Sequence, residues 1–230
     1  MRQSVSVGVA TGLYGISFGA LSTASGLTVL QTQALSTLLF SGGSQFAVIG
    51  VVAAGGSGAA AVAASTLLAV RNGLYGLEVS RILGVRGLRR AAAAQVTIDE
   101  STAVGLAQAE PGARRLGFWV TGVSVFVFWN LLTLVGALIG NALGDPRRWG
   151  LDAAAAAAFC ALLWPRLASR DARATAVFGC AVALATAPLL PAGLPVVLSV
   201  AAAVVVGLRP VGRHEPPVGG PGLTGADPVP

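Results

Sequence analysis

The chain has 230 residues, of which 54% are hydrophobic and only 10% charged, and its formal net charge is +6. That composition excludes an ordinary soluble domain. The basic excess does not indicate nucleic acid, because every basic residue is Arg and nearly all lie between apolar runs rather than in a patch.

A helical span needs about 20 apolar residues. Runs of that kind fall near 4–24, 33–54, 59–79, 117–142, 152–168, 174–190 and 194–208. The last three are short and crowd around Pro165, Pro188, Pro191 and Pro195, so six or seven transmembrane helices are expected in an all-α integral membrane protein. The first run is too long for a cleaved signal peptide and reads as a structural helix. Its small residues Gly8, Gly12, Gly15, Gly19, Ser22 and Gly26 recur every three or four positions. Such a stripe lets helix backbones approach closely in lipid. Gly136, Gly140 and Gly144 repeat the pattern later.

The second run contains Ser41-Gly42-Gly43-Ser44-Gln45 at mid-membrane depth. Adjacent glycines weaken a helix, and irregular backbone survives in a bilayer only where protein or water satisfies it. A break at Gly42–Gln45 lining a site is one reading; a tight helix crossing is the other. The third run carries Arg71-Asn72-Gly73, too deep for easy snorkelling. Three readings of Arg71 stay open: a substrate or gating group, an ion pair with Asp99 or Glu100, or an interfacial residue. The segment 88–107 is less apolar and reads as an interfacial or partly inserted helix. Its Asp99 and Glu100 suit either an ammonium group or a coupling proton, or else they cap a surface helix. Asn130 is a polar patch in the fourth run, bonding across helices or lining a path.

Six Arg residues (81, 86, 89, 90, 114 and 115) follow the third run. The positive-inside rule places that connection in the cytoplasm. With seven spans this puts eleven Arg inside and three outside, Arg71 staying in the membrane, and predicts N-out and C-in. A faint internal repeat pairs Gly19-Ala20-Leu21…Phe40 with Gly136-Ala137-Leu138…Phe159, suggesting an inverted three-helix repeat. Residues 1–208 form the transmembrane domain, and 209–230, holding six of twelve prolines and the only His (His214), form a disordered tail. Cys160 and Cys180 have no metal or disulfide spacing and read as small packing residues. Gly15–Gly19 matches GxSxG, yet lies in a helix with no base nearby, so no hydrolase is expected. No cofactor motif is present.

Gly15–Gly19 (GISFG), Phe40–Ala47 (FSGGSQFA), Arg71–Gly76 (RNGLYG), Thr97–Glu100 (TIDE) and Trp129–Gly140 (WNLLTLVGALIG) stand in family order, and over residues 5–208 the chain resembles the AzlC family. That family is the larger subunit of bacterial branched-chain amino acid exporters. The resemblance implies a multi-pass protein of the bacterial cytoplasmic membrane that exports hydrophobic amino acids with a small AzlD-type membrane subunit, without a cofactor. Ser44, Gln45, Arg71, Asn72, Asp99, Glu100 and Asn130 are the candidate substrate residues, with Arg71 on the carboxylate and Asp99 or Glu100 on the ammonium or a proton. The chain departs from the family where an Asn and a His flank the arginine; Ala69 and Asn72 stand there. A scaffold held together by the glycine stripes, or a channel for another small solute, are the alternative functions.

Overall fold

The computed structural model describes residues 1–143, 160, 163–164, 167–191 and 194–207. The tail 209–230 and most of the run 152–168 lie outside the described residues. The described elements are all helical: α1 (Arg2–Ala24), α2 (Val29–Leu38), α3 (Gly42–Ala53), α4 (Gly58–Leu83), α5 (Leu88–Gln95), α6 (Asp99–Leu106), α7 (Pro111–Ala142), α8 (Arg170–Thr186) and α9 (Leu194–Gly207). Among the described residues α1 and α7 are long and apolar enough to cross a bilayer. At about 1.5 Å per residue the 26 residues of α4 have the length as well, interrupted by Arg71 and Asn72.

The small-residue stripe of α1 packs on α7, as expected. A Cβ at Gly8 would lie 2.6 Å from Ser124 Cβ, one at Gly12 2.7 Å from Phe128 Cβ, and one at Gly15 2.8 Å from the Trp129 carbonyl oxygen. Further along, Gly19 abuts Thr133 and Ala137, and Gly140 abuts Ala20 and Thr23. The residue numbers rise together on both helices, so α1 and α7 run parallel. That register corrects the expected inverted pairing of these two helices, which requires them to run oppositely.

The physical reason lies in the second apolar run, which does not cross. It folds into a hairpin, α2 descending from the α1 terminus and α3 returning. Gln45 Nε2 donates to the carbonyls of Leu35 (3.4 Å) and Ser36 (3.2 Å), groups nine and ten residues back that a continuous helix would hold far away. An apolar cleft lined by Leu27, Gln31, Leu35, Val48 and Val52 brings the open ends of the two helices side by side. Ser41, at φ −158° and ψ 99°, is extended and turns the chain into α3. The break is thus at 39–41, and Gly42–Gln45 form the first turn of α3 instead of the break expected there. The start of α2 is set by Thr28 and Gln31, each side chain bonding the other's backbone N–H.

α4 runs back along α3, with Ala60, Ala61 and Ala64 against Ala47 and Val51. It ends at Gly84 (φ 60°) beside the start of α7, where Arg115 Nε donates to the Ile82 carbonyl at 3.0 Å. A second hairpin follows. α5 climbs along α7, placing Ala93 with Phe118 and Val96 against Gly122. α6 descends again, with Gly105 against Phe118 and the Arg114 Nε donating to the Gln108 carbonyl at 2.7 Å. Of the two readings of segment 88–107, the partly inserted one fits: it is two short helices rather than one, and their tip is buried, with Val96, Thr97 and Ile98 at most 8% exposed.

Two units of one plan result: α1 with the α2–α3 hairpin, and α4 with the α5–α6 hairpin. Each has a four-residue connection (25–28 and 84–87) and a three-residue tip (39–41 and 96–98). Because α4 is antiparallel to α1, the units are inverted. Gly12-Leu13-Tyr14-Gly15 recurs as Gly73-Leu74-Tyr75-Gly76, and each connection holds a glycine of positive φ that is followed by a leucine, Gly26 at 96° before Leu27 and Gly87 at 58° before Leu88, the first residue of α5.

Charge is segregated along the bundle. Among residues 1–143, Arg2, Arg81, Arg86, Arg89, Arg90, Arg114 and Arg115 gather where α1, α5 and α7 begin and α4 ends. The opposite end, with the connections 25–28 and 54–57, carries no charge among residues 1–143. Arg71, Asp99 and Glu100 sit between. α8 and α9 pack on each other, and Val197 of α9 reaches the α3–α4 cluster. Cys160 and Cys180 are both exposed rather than packed.

Candidate functional site

The tips of the two hairpins meet halfway along α7, and the charged residues of the apolar region collect there. Arg71 Nη1 donates to Asp99 Oδ2 at 2.9 Å, both side chains about 30% exposed (30% and 28%). Of the three readings of Arg71, the ion pair is the one the structure contains. The guanidinium also covers the glycine at the α3 tip: a Cβ at Gly43 would lie 3.2 Å from Arg71 Nη2. The end of the flexible Arg71 side chain thus lies over the first turn of α3 and needs to shift only a few tenths of an ångström to admit a Cβ there. Arg71 Nε and Asn72 Oδ1 are buried without a hydrogen-bond partner.

The two returning helices differ in how their N-termini are satisfied. That of α6 carries Asp99 and Glu100 in its first turn, and the Ile98 N–H donates to Ser101 Oγ at 3.1 Å. That of α3 has no acidic residue in its first turn and no side-chain cap. Helix N-termini carry partial positive charge from unpaired N–H groups. One tip thus holds carboxylates, while the other is uncompensated and flanked by a guanidinium.

Behind this pair lies an aromatic wall. The Phe18 ring meets Phe46 edge-on at 5.6 Å and stacks with Trp129 at 6.0 Å. The Trp129 ring in turn backs the other tip glycine, with Cη2 3.4 Å from a Cβ built at Gly42. All three side chains are buried.

The remaining candidates hold the tips in place. Asn130 anchors α2: its Oδ1 accepts from Thr37 Oγ1 at 2.9 Å and Gln33 Nε2 at 3.3 Å, and its Nδ2 donates to the Phe126 carbonyl at 2.8 Å. Gln45 is fully buried and ties α3 to the end of α2, its Oε1 having no partner. Ser44 is buried with its Oγ 3.1 Å from Ser41 Oγ. Glu100 is half-buried beside Asp99. Gln33, Thr37, Gln95, Phe18 and Trp129 are missing from the sequence-based set. Gln95 Nε2 donates to the Thr37 carbonyl at 2.8 Å, linking one hairpin to the other. Among the described residues no group of side chains could hold a metal ion.

The arrangement sets groups of opposite charge beside an apolar cluster. A carboxylate has Arg71 and the bare end of α3, an ammonium has the carboxylates of α6, and an apolar side chain has the aromatic wall. Comparison with known families finds a match to the family described as AzlC protein over residues 6–143, the stretch from α1 to the end of α7. No curated protein and no solved structure matches.

Proposed function

Because the chain belongs to the AzlC family, a family associated with branched-chain amino acid transport, we propose that it exports branched-chain amino acids by secondary active transport. Its place is the bacterial cytoplasmic membrane, and it works with a small AzlD-type subunit. Arg71 takes the substrate carboxylate, Asp99 or Glu100 takes the ammonium or a coupling proton, and Phe18, Phe46 and Trp129 face the aliphatic side chain. The observation that carries this reading is the Arg71–Asp99 pair at the junction of two broken-helix tips. Charges at such depth cost several kcal/mol unless they serve a solute path, and half-helix N-termini are a recurrent way to bind an anionic group in transporters.

The test is efflux from cells fed a leucine- or valine-containing dipeptide, with the chain expressed alone, with its small partner, or absent. Faster appearance of free leucine or valine outside with both subunits supports the reading. Equal rates in all three, with both proteins in the membrane, sink it.

Sidedness follows from charge. Arg2 lies at the end that gathers six further arginines of residues 1–143, and arginine-rich ends stay in the cytoplasm. We therefore place the N-terminus in the cytoplasm, against the N-out expectation, taking run 33–54 as a hairpin that returns to its own side in place of a crossing. A cysteine at Gln3, in a chain whose Cys160 and Cys180 are replaced by Ser, is expected to react with an impermeant thiol reagent only from the cytoplasmic side. Reaction only from outside would reverse the assignment.

A further inference from the structure

We infer that the two hairpins are the two gates of the site, α2–α3 closing it from the uncharged end and α5–α6 closing it from the basic end. This rests on the site reading above but is argued from the packing. Each hairpin enters from one end, reaches only the middle of α7, and stops at the same ion pair. The site is thus bounded at each end by a different, structurally equivalent element, and the two elements are inverted copies of one plan.

The contacts divide the molecule into parts that can move and parts that cannot. α1 and α7 touch backbone to backbone, at Gly15 against the Trp129 carbonyl and at Gly136 against Ile16. Close-packed backbone has no rotamers to exchange, so this pair is the fixed frame. The α2–α3 tip is held to α7 by side-chain hydrogen bonds from Gln33 and Thr37 to Asn130. The α5–α6 hairpin rests on α7 partly through Gly105, where a Cβ would lie 3.1 Å from Phe118 Cβ. Between the hairpins run the Gln95–Thr37 hydrogen bond and the Arg71–Asp99 pair. Arg71 belongs to α4 and leans on the Gly43 tip while bonding the α6 tip, so withdrawal of either hairpin breaks a contact to the same guanidinium. A substrate carboxylate that competes with Asp99 for Arg71 would weaken one of the contacts that hold the α5–α6 tip, while the α2–α3 tip stays covered by the guanidinium. Binding then lowers the barrier to opening of that gate.

The test needs no substrate, so it can fail while the efflux assay succeeds, and the reverse. In a chain with Cys160→Ser and Cys180→Ser, Gly43→Cys serves as reporter next to Arg71, and its modification by an impermeant thiol reagent is timed in vesicles of each orientation. Gln33→Ala with Thr37→Ala removes the α2 anchors, and loss of two neutral hydrogen bonds raises the opening equilibrium about tenfold. The expected result is a matching rise in modification rate from the uncharged side alone. Gly105→Val wedges α6 off α7 and should raise the rate from the basic side alone; Gly105→Ala makes the same test where the larger residue lowers yield. Both variants acting from one side, either acting equally from both, or neither changing the rate, overturns the gate assignment.

Discussion

Arg71→Ala is expected to lower the efflux rate at least about 30-fold while the amount of protein in the membrane stays near that of the unmodified chain. Truncating one member of a hydrogen-bonded charge pair costs about 2–5 kcal/mol when the pair is buried. Here the side chains are 30% and 28% exposed, so the lower bound applies. The substitution removes the donor for the substrate carboxylate and takes the guanidinium away from Asp99 at the tip of α6. The second effect can be separated from the first. Arg71→Ala with Asp99→Asn removes the carboxylate charge as well, so it should recover any lost protein yield without recovering transport. Arg71→Lys keeps a charge but loses the planar fork that binds a carboxylate through two parallel bonds, and should fall between the two. Initial efflux rates normalised to membrane protein decide this. Full activity of Arg71→Ala would leave the ion pair a purely structural link.

The second large effect concerns assembly. Gly19→Leu and Gly136→Leu are each expected to abolish the folded chain. A Cβ at Gly136 would collide with the Ile16 backbone, and one at Gly19 with the Thr133 carbonyl and Ala137. No side chain can rotate away, so the helices must separate, and overpacking of about 3 kcal/mol or more exceeds what the neighbouring contacts recover. Gly76→Ala is the matched control, because nothing lies within 4 Å of a Cβ built there. There the smaller backbone entropy of Ala should leave stability unchanged or raised by about 0.5–1 kcal/mol. Thermal unfolding of the detergent-solubilised chain measures both. Wild-type melting of Gly136→Leu would contradict the parallel α1–α7 register.

The long helices were legible because hydropathy alone marks them: run 4–24 is α1, run 59–79 lies within α4, and run 117–142 lies within α7. The hairpins were not. Residues 33–54 are as apolar as a crossing helix, and what bends them is non-local. Gln45 bonds back to Leu35 and Ser36, and Asn130, some ninety residues later, holds Gln33 and Thr37. Polar residues near the ends of an apolar run look like ordinary boundary residues until the fold pairs them. One signal was nevertheless present. The tetrapeptide Gly-Leu-Tyr-Gly at 12–15 and again at 73–76 marks the two inverted units, whereas the weaker match between residues 19–40 and 136–159 pointed to the wrong boundaries. Arg71 and Asp99 stood out for a different reason: an ionised group at that depth has few physical explanations. Their mutual bond was one of three readings that only the structure could separate. Orientation depends on the hairpins as well, since a re-entrant segment counted as a crossing reverses every later side.

The backbone contact between α1 and α7 also sets the order in which the molecule can be made. Gly19 finds its partner Gly136 only after a further 117 residues have been added. At about 5–20 residues per second the ribosome needs roughly 6–23 s for that stretch. Throughout this interval the small-residue face of the first helix has no helix to meet and is covered only by lipid or by whatever shepherds the nascent chain. The α2–α3 hairpin waits as well, because its anchor Asn130 arrives with the same late helix. Insertion of the first unit is therefore provisional until α7 leaves the translocation machinery. A premature stop anywhere before residue 136 would leave a hydrophobic fragment with no closed form, a natural substrate for membrane proteolysis.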